Sequence, residues 1–185
     1  VTGTHGKTTT TSLIAVMLKS AGLDPTVIIG GEVKAFEGNA RLGKSDFIVA
    51  EADESDSSFH HLRPSCEVIT NIEMEHLDHF KTLEHIHRSF RSFVGNLKEG
   101  GKVFYNASDA NIRKALAGFK LHSESFGFSK KADMRATRIK MDGFKTSFRC
   151  IYKENTLGEV RLSIPGRHNV LNAMAAILVG LDLGL

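Results

Sequence analysis

The feature that most restricts this chain is its opening run, Val1-Thr2-Gly3-Thr4-His5-Gly6-Lys7-Thr8-Thr9-Thr10-Thr11. Gly6-Lys7-Thr8, with Gly3 three residues ahead, has the core of a phosphate loop. Glycines let backbone N–H groups approach phosphate oxygens, and the helix that opens behind them adds its positive dipole end. In such a loop the lysine reaches the β- and γ-phosphates and the following hydroxyl faces Mg²⁺. The strict pattern asks for a further glycine where Val1 stands, so this loop is tighter than the standard one. Taken alone, a helix N-terminus with a chance Gly-Lys-Thr would read the same way. The four consecutive threonines weigh against that, because β-branched residues weaken a helix start, whereas hydroxyls turned toward phosphate and metal give them a use. A phosphate loop joins a strand to a helix, which points to an α/β fold.

The rest of the chain alternates accordingly. Leu13, Ile14, Val16, Met17 and Leu18 recur at helical spacing, with Gly22 as the C-terminal cap. Residues 26–29, 47–50 and 68–72 are short β-branched runs, apolar on both faces, as expected for strands buried in a parallel sheet. The spacing predicts a helix over 83–97 with Thr82 as its N-cap, a strand at 103–105 and a helix over 109–117. Residues 134–141, 144–152 and 158–164 then alternate apolar and polar, and Asp142-Gly143 between the first two is a hairpin signal. Pro165-Gly166 ends this stretch and a last helix starts near His168. The expected class is α/β: a phosphate-loop NTPase-like parallel sheet flanked by helices, with a small antiparallel sheet inserted near residues 134–164.

Composition excludes several alternatives. No apolar run approaches the ~20 residues of a membrane span, and no secretory leader pattern is present. Cys66 and Cys150 alone make no disulfide framework and read as small apolar strand residues. Lys and Arg number 24 against 21 Asp and Glu, and a net +3 spread along the sequence is too weak to argue for nucleic acid. These features read as a soluble, cytoplasmic domain. The sequence has no initiator Met, opens inside its motif and ends on an apolar helix. We therefore expect residues 1–185 to be one central domain of a longer protein.

Acids mark the predicted strand ends, where ligands sit in open parallel sheets. Glu51 follows the 47–50 run directly and is placed to hold the Mg²⁺ of a nucleotide. Asp53, Glu54 and Asp56 follow with Ser55, Ser57 and Ser58, and a solvated acidic loop explains Glu54 and Asp56 equally well. Of nine histidines, His76 stands out because it follows Thr70-Asn71-Ile72 toward the expected cleft. His85 and His87 lie two apart on a helix and point to different faces, while no cysteine completes a zinc site. Asn169 and Asn172, three apart, share a helix face, and side-chain amides suit the edge of a base. Simple capping by Asn169 is the alternative.

Four segments taken in order are similar to the central, ATP-binding domain of the Mur ligases of peptidoglycan synthesis, over essentially all 185 residues. They are Gly3 to Thr10, Glu51-Ala52-Asp53-Glu54-Ser55-Asp56, Thr70-Asn71-Ile72 to His76-Leu77-Asp78, and Gly166-Arg167-His168-Asn169 to Asn172-Ala173. Glu75 stands where the family usually carries Asp. The resemblance implies ATP and Mg²⁺ as cofactors, with Lys7, Glu51 and His76 catalytic. It implies a nucleotide site of Gly3, Thr4, His5, Gly6, Lys7, Thr8, Thr9, His168, Asn169 and Asn172, the last three near the adenine. Thr8 and Glu51 are implied to hold one Mg²⁺ and His76 to serve a second, with Glu54, Ser55 and Asn71 toward the substrate.

The Thr4-His5 pair and the complete 51–56 run resemble most the member that joins L-alanine to the lactyl carboxylate of UDP-N-acetylmuramate through an acyl phosphate. The closest rival joins a murein tripeptide to the same UDP-sugar. A non-catalytic ATP-binding switch module is the alternative from another class. The family also implies an N-terminal UDP-binding domain and a C-terminal domain, neither within residues 1–185, so this stretch alone is expected to be inactive.

Overall fold

The structure, a computed structural model, describes residues 1–33, 38–53, 62–73 and 82–185. Helix α1 (Lys7–Ser20) leads to β1 (Thr26–Val33), β2 (Gly38–Arg41) and β3 (Ile48–Ala50). Next come β4 (Cys66–Ile69), α2 (Leu83–Val94), β5 (Lys102–Asn106), α3 (Ala110–Leu116) and β6 (His122–Gly127). The strands β7 (Met134–Asp142), β8 (Lys145–Tyr152) and β9 (Asn155–Leu162) precede the last helix, α4 (Arg167–Asp182).

The strands form a three-stranded sheet, β2-β1-β3, and a six-stranded sheet, β4-β5-β6-β7-β8-β9. Residues 1 and 2 lie between them. The Val1 nitrogen donates to the Ala50 carbonyl and Ala52 N–H donates to the Val1 carbonyl, both at 2.8 Å. On the other side Thr2 N–H donates to the Val68 carbonyl at 2.8 Å and Thr70 N–H to the Thr2 carbonyl at 3.1 Å. Two residues thus do the work of a strand and make the sheets continuous. Pairings β1–β3, β4–β5, β5–β6 and β6–β7 are parallel, while β1–β2, β7–β8 and β8–β9 are antiparallel. The antiparallel hairpins expected near 134–164 are present, and they extend the edge of the main sheet.

Each side of the continuous sheet carries its own core. On one side α1 and α4 pack against Val27, Ile29, Val49, Val68, Phe104, Phe126, Met134 and Phe148. On the other, Ile86, Phe90 and Val94 of α2 and Ile112 and Ala115 of α3 cover Ile69 and Val103. Neighbours in sequence such as Val68 and Ile69 therefore serve opposite cores, as the two-sided apolar runs predicted. The 26–29 and 47–50 runs depart from that expectation: Ile28 and Ile48 are exposed.

Two strands, β2 and β6, escape the sequence reading. β2 (Gly-Asn-Ala-Arg) has no apolar pattern, because it is an edge strand. In β6 (His-Ser-Glu-Ser-Phe-Gly) the two polar residues turned inward, Glu124 and Ser125, are satisfied by tertiary partners. Asp133 accepts from Ser125 N–H at 2.8 Å and from its hydroxyl at 2.7 Å, and Glu124 accepts from Tyr152 and Lys153. Helix α2 ends at Val94, three residues before the expected end, and the hydroxyl of Thr82 caps its start by accepting from His85 N–H at 3.2 Å. Burial pushes the Cys66 and Cys150 thiols up to about 12 and about 11, consistent with packing residues rather than reactive ones.

Candidate functional site

Parallel strands on both sides of residues 1–2 deliver their carboxyl ends to one place, and the chain turns there through residues 3–6 into α1. The turn needs its two glycines. At Gly3 (φ 130°) an added Cβ would lie 2.2 Å from Thr70 Oγ1 and 2.8 Å from the Asn71 carbonyl. At Gly6 (φ 83°) it would lie 2.7 Å from Asn172 Oδ1. Gly6 is also the N-cap of α1 and provides no side-chain cap, unlike Thr82 for α2 and Asp109 for α3. A helix start capped by no side chain, beneath a glycine turn, is a cradle for an anion.

Charges are arranged around this cradle. Lys7 is buried, and its Nζ donates to the Gly3 carbonyl at 2.7 Å and lies 3.8 Å from Asp53. The Thr8 hydroxyl donates to Glu51, at 3.0 Å from Oε2 and 3.2 Å from Oε1, and Gly30 N–H also donates to Oε2 at 2.9 Å. A hydroxyl and a carboxylate from separate elements thus meet beside a helix N-terminus, a donor set of hard oxygens that suits Mg²⁺.

The threonine run divides in a way the sequence did not indicate. Thr8 faces Glu51 and Thr9 is half-buried, but Thr10 and Thr11 are fully buried in the helix packing. Thr11 donates to the Lys7 carbonyl at 2.8 Å. Its hydroxyl is used within the helix, so only the first part of the run is available to a phosphate or metal.

Thr4 is buried, and its N–H donates to the Asn71 carbonyl at 3.0 Å. His5 is exposed; its backbone N–H donates to Asn71 Oδ1 at 2.8 Å, and its carbonyl accepts from Asn71 Nδ2 at 2.9 Å and from Thr70 Oγ1 at 2.6 Å. The Asn71 side chain is therefore engaged in shaping the loop. Asn169 and Asn172 share a face as predicted, with Asn172 Nδ2 donating to Asn169 Oδ1 at 3.1 Å and Asn169 Nδ2 to the Pro165 carbonyl at 2.7 Å. Asn172 in turn abuts Gly6, which brings the start of α4 against the phosphate-type loop. His168 is exposed and lies over Gly166, while Arg167 stacks on Phe128, 4.5 Å from the ring centre.

Gly3, Thr4, His5, Gly6, Lys7, Thr8, Thr9, Glu51, Asn71 and Asn172 thus share one site, with Asn169 and His168 on the adjoining helix start. Glu54, Ser55 and His76 lie outside the described residues. The sequence reading missed Asp53 as the neighbour of Lys7. It also missed Glu73, whose N–H donates to Thr4 Oγ1 at 2.8 Å. The acid-rich segment held a signal for the first; nothing local marked the second.

Comparison with known proteins agrees with this geometry. Residues 1–180 match the family model described as the Mur ligase middle domain. The chain is 46% identical over 184 residues to a UDP-N-acetylmuramate–L-alanine ligase of Trichlorobacter lovleyi, covering 99% of this chain and 40% of that protein. It is 48% identical to the protein of the same name from Solibacter usitatus, covering 99% and 39%. Among solved structures, it is similar to a UDP-N-acetylmuramate:L-alanyl-γ-D-glutamyl-meso-diaminopimelate ligase of Neisseria meningitides, with TM-score 0.89, 32% identity, and 99% and 60% of the two chains covered. It is also similar to a UDP-N-acetylmuramate–alanine ligase of Thermotoga maritima, with TM-score 0.85, 30% identity, and 99% and 40% covered. The chain spans about 40% of the length of the curated relatives it matches.

Proposed function

This chain belongs to the Mur ligase family as a middle domain, and from that premise we propose that it is the ATP-binding part of a cytoplasmic ligase joining L-alanine to UDP-N-acetylmuramate. The observation that carries the reading is the meeting of Thr8 and Glu51 at 3.0 Å beside a glycine-built helix start. Residues 3–9 bind the phosphate tail, with backbone N–H groups at the start of α1 directed at its oxygens. Lys7 leaves the Gly3 carbonyl to place its charge on the transferred phosphoryl. Thr8 and Glu51 hold Mg²⁺, which when bound offsets negative charge on the phosphates, and His76 serves a second such ion. His168, Asn169 and Asn172 are assigned to the adenine, and Glu54, Ser55 and Asn71 to the sugar nucleotide, as the resemblance implies. The muramoyl carboxylate takes the γ-phosphoryl, giving an acyl phosphate, and the amine of L-alanine then displaces phosphate.

Domains before and after residues 1–185 supply the UDP site and complete the amino-acid site, so this chain alone does not ligate. The test is ADP release by the full-length protein. Release should require UDP-N-acetylmuramate and L-alanine together, and Glu51→Ala should abolish it. ATP binding without such release would leave a nucleotide-operated switch instead. Release driven by a murein tripeptide in place of L-alanine would reassign the substrate.

A further inference from the structure

The nucleotide loop is held by the segment that follows β4, and that segment is itself held from outside the site. We propose that Asp109, read in the sequence only as the start of a helix, is a positioning residue for nucleotide binding, with Asn111 as its partner. This rests on the nucleotide reading given above. The carboxylate of Asp109 divides its two oxygens between two tasks. Oδ1 caps α3 by accepting from Asn111 N–H at 2.8 Å and Ile112 N–H at 3.1 Å. Oδ2 accepts from Ile72 N–H at 2.8 Å. On the other side of the same residue, Asn111 Nδ2 donates to the Ile72 carbonyl at 2.8 Å. Ile72 is thus gripped at both its N–H and its carbonyl, and its side chain is fully buried in the core beneath α2 and α3.

The residues on either side of Ile72 make the contacts that shape the loop. Thr70 and Asn71 bind the backbone of His5, the Asn71 carbonyl receives Thr4 N–H, and Glu73 N–H reaches Thr4 Oγ1. Because α1 has no side-chain cap of its own, the direction of its first N–H groups depends on these external contacts. A helix cap requires a single acceptor, which Ser, Thr or Asn also provides. The second oxygen of a carboxylate is what the clamp on Ile72 adds. Asp109 therefore joins the start of α3 to the phosphate cradle without touching a nucleotide.

The experiment compares wild type, Asp109→Ser and Asn111→Ala in the full-length protein. It measures MgATP affinity by titration calorimetry, KM and kcat for ATP, and the unfolding temperature. Asp109→Ser keeps an acceptor for the cap and loses the clamp; Asn111→Ala leaves the cap intact and releases only the Ile72 carbonyl. Both should weaken MgATP binding roughly tenfold, the order expected for losing one or two such bonds. KM should rise more than kcat falls. Unchanged affinity in folded variants, even with a lowered unfolding temperature, would make the role purely structural and overturn the proposal. If Asp109→Ser does not fold, Asn111→Ala decides by the same criterion. A wild-type protein that binds no MgATP would refute the nucleotide reading itself, a result distinct from variants that match a wild type that binds.

Discussion

Gly6 and Gly22 have almost the same φ, 83° and 82°, in very different surroundings. At Gly22, past the C-terminus of α1, an added Cβ meets nothing within 4 Å; at Gly6 it meets Asn172 Oδ1 at 2.7 Å. Alanine at either position bears the left-handed penalty, about 1–2 kcal/mol. Only at Gly6 must a buried neighbour also move. Asn172 would lose its bond to Asn169, about 1 kcal/mol net, and leaving the buried Asn169 Oδ1 without a donor brings that to roughly 1–3 kcal/mol. Gly6→Ala should therefore destabilise the chain by about 2–5 kcal/mol and Gly22→Ala by about 1–2 kcal/mol. Urea unfolding of both variants, read at unchanged m-value, gives the difference directly. Adding Asn172→Ala removes the clash, so the double mutant should show a favourable coupling of about 1 kcal/mol or more. Equal losses at Gly6 and Gly22, or no coupling, would refute the claim that α4 braces the loop.

Other expectations follow from single residues. Lys7→Ala in the full-length protein should slow ADP formation ~10²–10³-fold; near-normal turnover would remove Lys7 from the phosphoryl step. Glu67 is buried with neither carboxylate oxygen partnered among the described residues, and burial pushes it from 4.5 up to about 8. Between those values the folded chain keeps a proton that the unfolded chain has released, so stability falls as pH rises through that window and levels off above it. The slope approaches ~1.4 kcal/mol per pH unit, and Glu67→Gln should flatten it in urea melts across the same range. Phe90→Ala, in the core under α2, should cost ~3–5 kcal/mol, whereas Phe144→Ala at the exposed β7–β8 turn should stay within about 0.5 kcal/mol, both read from denaturant midpoints.

The local signals in the sequence were those whose cause is local. Gly3, Gly6 and Lys7 mark a turn that glycine alone permits, and Glu51 follows directly from a β-branched run, so their convergence could be read from strand-end geometry. Asp142-Gly143 located the hairpin for the same reason. Strand β6 could not be found this way, because Glu124 and Ser125 are satisfied by Asp133, Tyr152 and Lys153, residues that come near only once the sheet has formed. Asp109 was legible only as the start of a helix; its bond to Ile72 spans 37 residues and left no local trace. The threonine run shows the opposite error. A composition that suggested one chemistry for four hydroxyls resolves into a helix with one side toward Glu51 and the other in the core.

The placement of Val1 and Thr2 between β3 and β4 bears on how this molecule comes together. The cradle is closed by partners 43 positions away at Glu51 and 66 at Asn71. Such distant closures are slow to form because chain entropy must be given up before any contact rewards it. The anion pocket is thus a late product of assembly, absent from any short peptide that carries the glycine motif. A nucleotide that fits it will select the completed sheet over every partial one, so occupancy and cooperative folding rise and fall together.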